Sequence, residues 1–241
     1  MHNAIRDDEL LSPVLDIALI DASIGETPAQ RNFERVTEAT LTGFKVSEGA
    51  EPPTVTGPEA AFDAVIVTGS QCSVYEDRPW IHRLTEWARE AHAAGVPLFG
   101  ICWGHQFLAQ ALGGRIVAMD DYELGYRPIT RTTESRLLDG VPETFVAFET
   151  HSDRVYELPE GATRLAENDV GIQAYRLGRT YGVQFHPEYD METARRVTRG
   201  KDLPAERIES VLAEITPETF EKARPAARVF ENFEAIVADA A

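Results

Sequence analysis

A cysteine, a histidine and a glutamate stand in surroundings suited to nucleophilic catalysis. Gly100-Ile101-Cys102-Trp103-Gly104-His105-Gln106 follows a short apolar run, Val96-Pro97-Leu98-Phe99. It opens onto Phe107-Leu108-Ala109-Gln110-Ala111-Leu112, which has helical periodicity. A cysteine on a glycine-flanked strand-to-helix turn has the backbone logic of a nucleophile elbow. Small neighbours permit the tight turn, and the following helix points free N–H groups and its positive dipole end at the sulfur, favouring thiolate. A lone cysteine more often packs as a small hydrophobe. The flanking glycines weaken that reading, and a second segment nearly removes it.

In Gly182-Val183-Gln184-Phe185-His186-Pro187-Glu188, an apolar-rich strand from Tyr181 to Phe185 ends in a histidine with a carboxylate two residues on. Cysteine chemistry needs a base to take the thiol proton and return it to a leaving group. The base needs an acceptor that fixes its tautomer and stabilises its charged form. Pro187 stiffens the link, so Glu188 can fold back towards the ring of His186. Taken alone, His-x-Glu is usually structural; beside the elbow it makes a Cys102–His186–Glu188 triad.

Hydrolysis of an amide through a thioester also needs donors for the tetrahedral oxyanion. Gly69-Ser70 ends a strand beside the elbow strand, and a glycine there lets backbone N–H groups turn towards a substrate. Gln106 lies one helical turn after Cys102, so both can face one pocket, and its amide both donates and accepts. Cys72 has no recognisable base near it and reads as packing or pocket wall. His2, His82, His92 and His105 show no metal-ligand spacing, and no metal or organic cofactor is expected. His105 should pack beneath the elbow turn.

The elements that must position these residues read as alternating strand and helix. Val14–Asp21 is the first strand, and Thr27-Pro28 starts a helix with Thr27 as N-cap. Phe44-Lys45-Val46 is the second strand, 48–59 a loop and Asp63–Val67 the third strand. Pro79–Ala94 is a helix with Trp80, Leu84, Trp87, Ala88 and Ala91 on one face, and Gly113-Gly114 closes the elbow helix. Short strands follow at 115–119, 127–132, 144–149, 164–167, 171–175 and 181–185. Beyond Asp190 the chain becomes helical, with Thr216-Pro217 starting a last helix that carries Phe220, Val229, Phe230, Phe233 and Ile236. The order indicates an α/β protein built on an open, mostly parallel, doubly wound sheet.

The two chemical segments resemble the triad blocks of class I glutamine amidotransferases, in which Gly-x-Cys-x-Gly-x-Gln carries the nucleophile and a His-Pro-Glu block carries the base and its orienter. The resemblance covers roughly residues 14 to 190 and looks closest to stand-alone domains similar to the glutaminase half of GMP synthase. Plant γ-glutamyl peptidases also resemble it, through Thr68-Gly69-Ser70 followed by Asp77-Arg78-Pro79-Trp80-Ile81. It implies a flavodoxin-like fold, with 1–190 as the amidotransferase domain and 191–241 as a helical extension packed on it. It further implies that the Gly69-Ser70 turn and Trp103 each supply an oxyanion donor, and that Gln106 serves the substrate. Ser70 departs from relatives with two consecutive glycines. Thr150-His151-Ser152-Asp153 resembles a Ser-His-Gly-Asp loop whose backbone holds the α-amino and α-carboxyl groups of glutamine. Ser152 stands where relatives often have glycine, and His151 ranks well below His186 as a base.

Three roles compete. The first is a glutaminase that supplies ammonia to a separate synthetase, since no P-loop and no Ser-Gly-Gly-x-Asp-Ser loop of ATP pyrophosphatases is recognisable. The second is a self-contained γ-glutamyl hydrolase or peptidase. The third is a non-catalytic module, which an intact triad disfavours. The substrate is glutamine or a γ-glutamyl compound, and the 191–241 extension could dock a synthetase or cap the sheet.

Composition sets the surroundings. The chain has 241 residues, 43% of them hydrophobic, enough for one sizeable core. No window approaches a membrane span, and no secretory leader pattern is evident, so a cytoplasmic setting is expected. Cys72 and Cys102 are the only cysteines, and a free Cys102 suits a reducing compartment. Forty acidic against 23 basic residues give a net charge of −17, which repels nucleic acid and anionic membranes. Only Lys45, Lys201 and Lys222 are lysines; the other basic residues are arginines. Acidic side chains hold water and cations, and high salt screens their repulsion, which points to the salt-rich cytoplasm of a halophile. The expected outcome is a Tm that rises as KCl is taken from dilute buffer to molar concentration, measured by thermal denaturation. A flat Tm would contradict it.

Overall fold

The computed structural model describes residues 14–57 and 60–239. Residues 1–13 lie outside the described residues, as do Pro58 and Glu59 of the expected loop. The first half of the chain alternates strand and helix: β1 (Asp16–Asp21), α1 (Ala29–Glu34), β2 (Thr40–Lys45), β3 (Ala64–Val67), α2 (Pro79–Ala93), β4 (Leu98–Ile101) and α3 (Trp103–Ala111). Strands then dominate, with β5 (Arg115–Arg131), β6 (Thr144–Glu157), β7 (Thr163–Glu167), β8 (Ile172–Leu177) and β9 (Thr180–Val183). Helices α4 (Met191–Arg199), α5 (Ala205–Glu214), α6 (Pro217–Ala223) and α7 (Arg228–Ala238) complete the chain.

Among the described residues, nine strands join one sheet in the order β2-β1-β3-β4-β9-β8-β7-β5-β6. The first five in that order run parallel, and β8, β7, β5 and β6 continue the sheet antiparallel. Central parallel strands are covered on both faces and so read as unbroken apolar runs. Ile17–Ile20 and Ala64–Val67 are fully buried for this reason. One face packs Phe33, Phe99, Phe230 and Phe233, and the other packs Trp80, Leu84, Trp103 and Phe107. Among the described residues, no helix is long and apolar enough to cross a membrane.

Several expected boundaries move. α1 begins at Ala29 behind Pro28, and no side chain caps it. The Thr27 hydroxyl instead meets Ser23 Oγ at 2.8 Å, inside a polar knot in which Lys45 Nζ reaches both Ser23 and Asp21. β2 covers Thr40–Lys45 rather than Phe44–Val46; as an edge strand it is only partly buried, so its sequence carries a weak pattern. The expected short strands 115–119 and 127–132 are one 17-residue strand, β5, paired along β6 with a register shift between Ala118 and Glu123. β6 runs on through Thr150-His151-Ser152-Asp153, so that segment is strand and not loop. Thr216 does cap α6, through a reciprocal capping box with Thr219. The single last helix is divided, however, because a 3₁₀ turn over Arg224–Ala227, carrying Pro225, separates α6 from α7.

Helix α7 belongs to the core that supports the chemistry. Its Phe233 ring lies 5.0 Å from Phe99 on β4 and 6.2 Å from Tyr181 on β9. Phe233→Ala should cost about 3–5 kcal/mol, the range for truncating a buried aromatic ring. Urea denaturation should show that loss as one earlier transition; a loss below about 1 kcal/mol would mean that α7 docks only loosely.

Candidate active site

Strand β4 ends in a turn that only small residues permit. A Cβ on Gly100 would sit 2.3 Å from Gly104 O, and one on Gly104 would sit 2.2 Å from Val67 O. The backbones of β3, β4 and α3 therefore touch directly, and Cys102 between them takes φ 52, the sole positive φ of a non-glycine among the described residues. Cys102 is buried, and its N–H donates to Val183 O at 2.8 Å, tying the elbow to β9. Trp103 is the first residue of α3, where a helix leaves its N–H without an intrahelical acceptor.

Just beyond β9, the His186 N–H donates to Phe148 O at 2.9 Å, fixing the loop against β6. Its Nδ1 lies 2.8 Å from Glu188 Oε1, while the nearby Cys102 thiol donates to Thr150 O at 3.9 Å. Gly69 faces both: a Cβ there would lie 3.1 Å from His186 Cε1 and 3.8 Å from Cys102 Cβ. Tyr189 stacks on the imidazole with centroids 4.1 Å apart. Burial alone would depress the His186 pKa, but the charges of Glu188 and Cys102 outweigh it and push it up to about 10. The ring is thus placed between Cys102 and the Glu188 carboxylate.

A second buried group flanks the cysteine. His151 Nε2 is 2.8 Å from Glu123 Oε2 and 3.3 Å from Glu149 Oε2, and its Nδ1 contacts Asp153 O at 2.8 Å. Burial works against charge on His151, yet the two carboxylates raise its pKa well above the ordinary value. Burial pushes Glu149 up to about 7 against the pull of His151. Glu123 makes the shorter of the two contacts to the ring. These three side chains could also hold a cation, since their ligand atoms lie within 4.8 Å of one another.

The substrate-facing residues divide. Gln106 is buried on α3, but its Nε2 donates to Asp153 O at 2.8 Å and to Gln184 Oε1 at 3.0 Å, so it pins β6 and keeps only its carbonyl oxygen free. Asp153 is buried, and its carboxylate accepts from Ser73 Oγ at 2.5 Å and Tyr75 OH at 3.0 Å. Ser152 is exposed on the opposite face of the strand. Burial raises the Cys72 thiol pKa while the Ser70 hydroxyl, 3.3 Å away, opposes it. His105 is fully buried beneath the turn as expected, 4.9 Å from the Tyr175 ring; burial drives its pKa down to about 3 and it stays neutral.

Cys102 separates two cavities. One, of about 160 Å³, is lined by Trp103, Gln106, Tyr122 and the Thr150–Asp153 strand. The other, of about 110 Å³, is lined by Gly69, His186, Glu188 and residues of α1 and α4. A larger hollow of about 860 Å³ lies under α6 and α7; it touches His186 but not Cys102, and we place the chemistry in the smaller pair. Sequence reasoning singled out His151 but missed Tyr189, Lys201, Glu123 and Glu149. Tyr189 directly follows Glu188, the one signal in reach. The others come together only through strand pairing and the α4–α5 turn.

Comparison with known proteins places the chain. The profile described as glutamine amidotransferase class-I matches residues 23–199. A γ-glutamyl-L-1-hydroxyisopropylamide hydrolase from a Pseudomonas species is 36% identical over 58% of the chain and 52% of its own length. γ-Glutamyl peptidase 3 of Arabidopsis thaliana is 30% identical over 68% of the chain and 69% of its own length. The glutamine-hydrolysing GMP synthase of Clostridium novyi is 38% identical over 53% of the chain but only 24% of its own length. The match thus spans about half of the first relative and a quarter of the GMP synthase. A glutamine amidotransferase structure from Methylobacillus flagellatus shares the fold with TM-score 0.76, 20% identity and coverage of 92% and 95% of the two chains.

The His186 pair has a measurable consequence. With a folded pKa near 10 against about 6.5 unfolded, its stabilising contribution is complete below pH 6.5 and disappears as pH rises through 10. Cys102→Ala removes one of the two charges that lift it. Imidazole NMR should show the His186 midpoint falling by at least about one pH unit in that variant. An unchanged midpoint would mean that the thiolate does not face the ring.

Proposed function

This chain belongs to the class I glutamine amidotransferase family, and on that premise we propose that it hydrolyses γ-glutamyl amides through a γ-glutamyl thioester on Cys102. The observation that supports it is the hydrogen-bonded His186–Glu188 pair beside Cys102, which sits on a strained strand-to-helix turn. The thiolate attacks the γ-carbonyl carbon, and the C–N bond breaks as the His186 imidazolium gives its proton to the departing amine. Glu188 holds the ring by Nδ1 and stabilises its charged form. Backbone N–H groups of the Gly69-Ser70 turn and of Trp103 receive the oxyanion. Water, deprotonated by His186, then attacks the thioester carbonyl, releasing glutamate and regenerating the thiolate.

The γ-glutamyl half occupies the cavity of Gln106 and the β6 strand, where Asp153 is already held in place by Ser73 and Tyr75. Residues 1–190 act as the amidotransferase domain in this reading, with 191–241 as a helical extension packed on it. The Phe99–Phe233 contact supports that packing. A second reading, favoured by the GMP synthase likeness, hands the released ammonia to a separate synthetase. Scarcity of lysine in an acidic chain supports a salt-rich cytoplasm as the setting.

The test offers the purified chain, in high KCl, glutamine and several γ-glutamyl peptides side by side and measures glutamate release. Efficient peptide cleavage without a partner favours the hydrolase reading, and weak glutamine turnover raised by an added synthetase favours the second. Cys102→Ala should abolish turnover, and His186→Gln should lower kcat by about 10²–10⁴. Retained activity in Cys102→Ala would refute the assignment.

A further inference from the structure

On the hydrolase reading, the departing amine must lie where His186 can protonate it. Of the two cavities beside Cys102, only the 110 Å³ one contains His186. Ammonia needs no more space than a water, whose share of liquid volume is about 30 Å³, so this cavity has room for a larger amine. Its apolar lining comes from Pro28, Phe33 and Val197. Besides His186 and Glu188, its charged groups are Arg196 on α4 and Lys201 in the turn that follows, where Lys201 borders both cavities.

Those two cations are uncommitted. Lys201 Nζ stands 5.0 Å over the Tyr122 ring and has no carboxylate partner among the described residues. The other lysines are both paired, Lys45 with Asp21 at 3.0 Å and Lys222 with Glu218 at 2.7 Å. The Arg196 guanidinium reaches only a backbone carbonyl, Glu26 O at 3.4 Å. The cavity's single carboxylate, Glu188, is 3% exposed and bound to His186. A chain of net charge −17 thus presents free positive charge beside its nucleophile. In molar salt the screening length falls to about 3 Å, so the net negative field neither attracts nor repels a substrate at distance, and direct contact with the cavity wall decides.

We propose that Lys201 and Arg196 recognise a carboxylate on the leaving amine, making a γ-glutamyl amino acid or peptide the preferred substrate over glutamine or an amide of a neutral amine. This rests on the hydrolase reading and adds the specificity pair to it. The apolar lining takes the amine's side chain, and the cations at the mouth take its carboxylate.

The experiment measures kcat/KM of the full chain, at one fixed KCl concentration, for γ-glutamylglycine and for γ-glutamylethylamide. The two share the γ-glutamyl half and differ by the carboxylate on the amine. The expected ratio in the unsubstituted chain is at least about tenfold in favour of γ-glutamylglycine, the worth of one charge-assisted contact. The double substitution Lys201→Gln with Arg196→Gln should lower that ratio at least about fivefold, mainly through KM for γ-glutamylglycine, while Lys222→Gln on α6 leaves it unchanged. Product inhibition of the unsubstituted chain gives a reading independent of the variant: glycine should inhibit at lower concentration than ethylamine. A ratio near one in the unsubstituted chain, or a ratio that the double substitution does not move, overturns the proposal. Turnover of neither compound overturns the hydrolase reading itself, and the proposal with it.

Discussion

The site depends on a close approach between backbones. Gly100 and Gly104 bring β4 and α3 against each other and against β3, at distances that leave no room for a methyl group. Gly182 extends the requirement to β9, since a Cβ there would lie 2.7 Å from the Tyr175 ring and 2.8 Å from His105 Nδ1. Cys102 has no alternative to its positive φ once these approaches are made. Such a conformation costs on the order of 1–3 kcal/mol and persists only where the surroundings over-determine it. The stack of Trp103 on Phe107, 4.9 Å apart, and the buried faces of β3 and β4 provide that enclosure. Position of the sulfur, access of His186 and freedom of the Trp103 N–H all follow from this one packing constraint.

Burial then decides which charges survive around the sulfur. An isolated ion at such depth would neutralise itself. His186 avoids that fate because the Glu188 carboxylate sits on its Nδ1, and Tyr189 covers its face without competing for either ring nitrogen. His105, equally buried but without a carboxylate, loses its charge. His151 repeats the first solution with Glu123 and Glu149 and spends it on architecture. Its Nδ1 and the Gln106 amide both meet the same Asp153 carbonyl, so α3 and β6 are locked around one backbone oxygen. Two histidines of similar burial near one cysteine therefore differ in what their second nitrogen faces.

Much of this was legible in residue types. The elbow, the His-Pro-Glu block and the Gly69 turn are local patterns, and the parallel strands announce themselves as apolar runs such as Ala64–Val67. Patterns failed where partners lie far along the chain. β5 looks broken at Asp120-Asp121, yet it stays one strand because β6 absorbs the mismatch through a register shift. Thr150–Asp153 is polar enough to resemble a loop, and becomes strand because β5 supplies its ladder. Thr27 has the right type for a cap and is drawn away by Ser23. Gln106 borders the same cavity as Cys102, and hydrogen bonds to two distant residues determine which end of its amide remains free.

The segment after the histidine shows why the cavity wall and the base cannot be considered separately. Only Tyr189 lies between Glu188 and Asp190, whose carboxylate caps α4 by accepting from the Thr193 N–H at 2.7 Å. Arg31 of α1 pairs with the same Asp190, and the Arg35 guanidinium donates to the Glu188 carbonyl. Asn32 of α1 meets the Thr193 hydroxyl at 3.1 Å. Helices α1 and α4 are thereby closed over the His186 side of the thiol, and the residue that orients the base is anchored at the start of the helix that carries Arg196. Any shift of α4 to admit a different amine would pull on Glu188. On the proposed reading, selection of the leaving group and alignment of the base are one mechanical property of the Glu188–Thr193 segment.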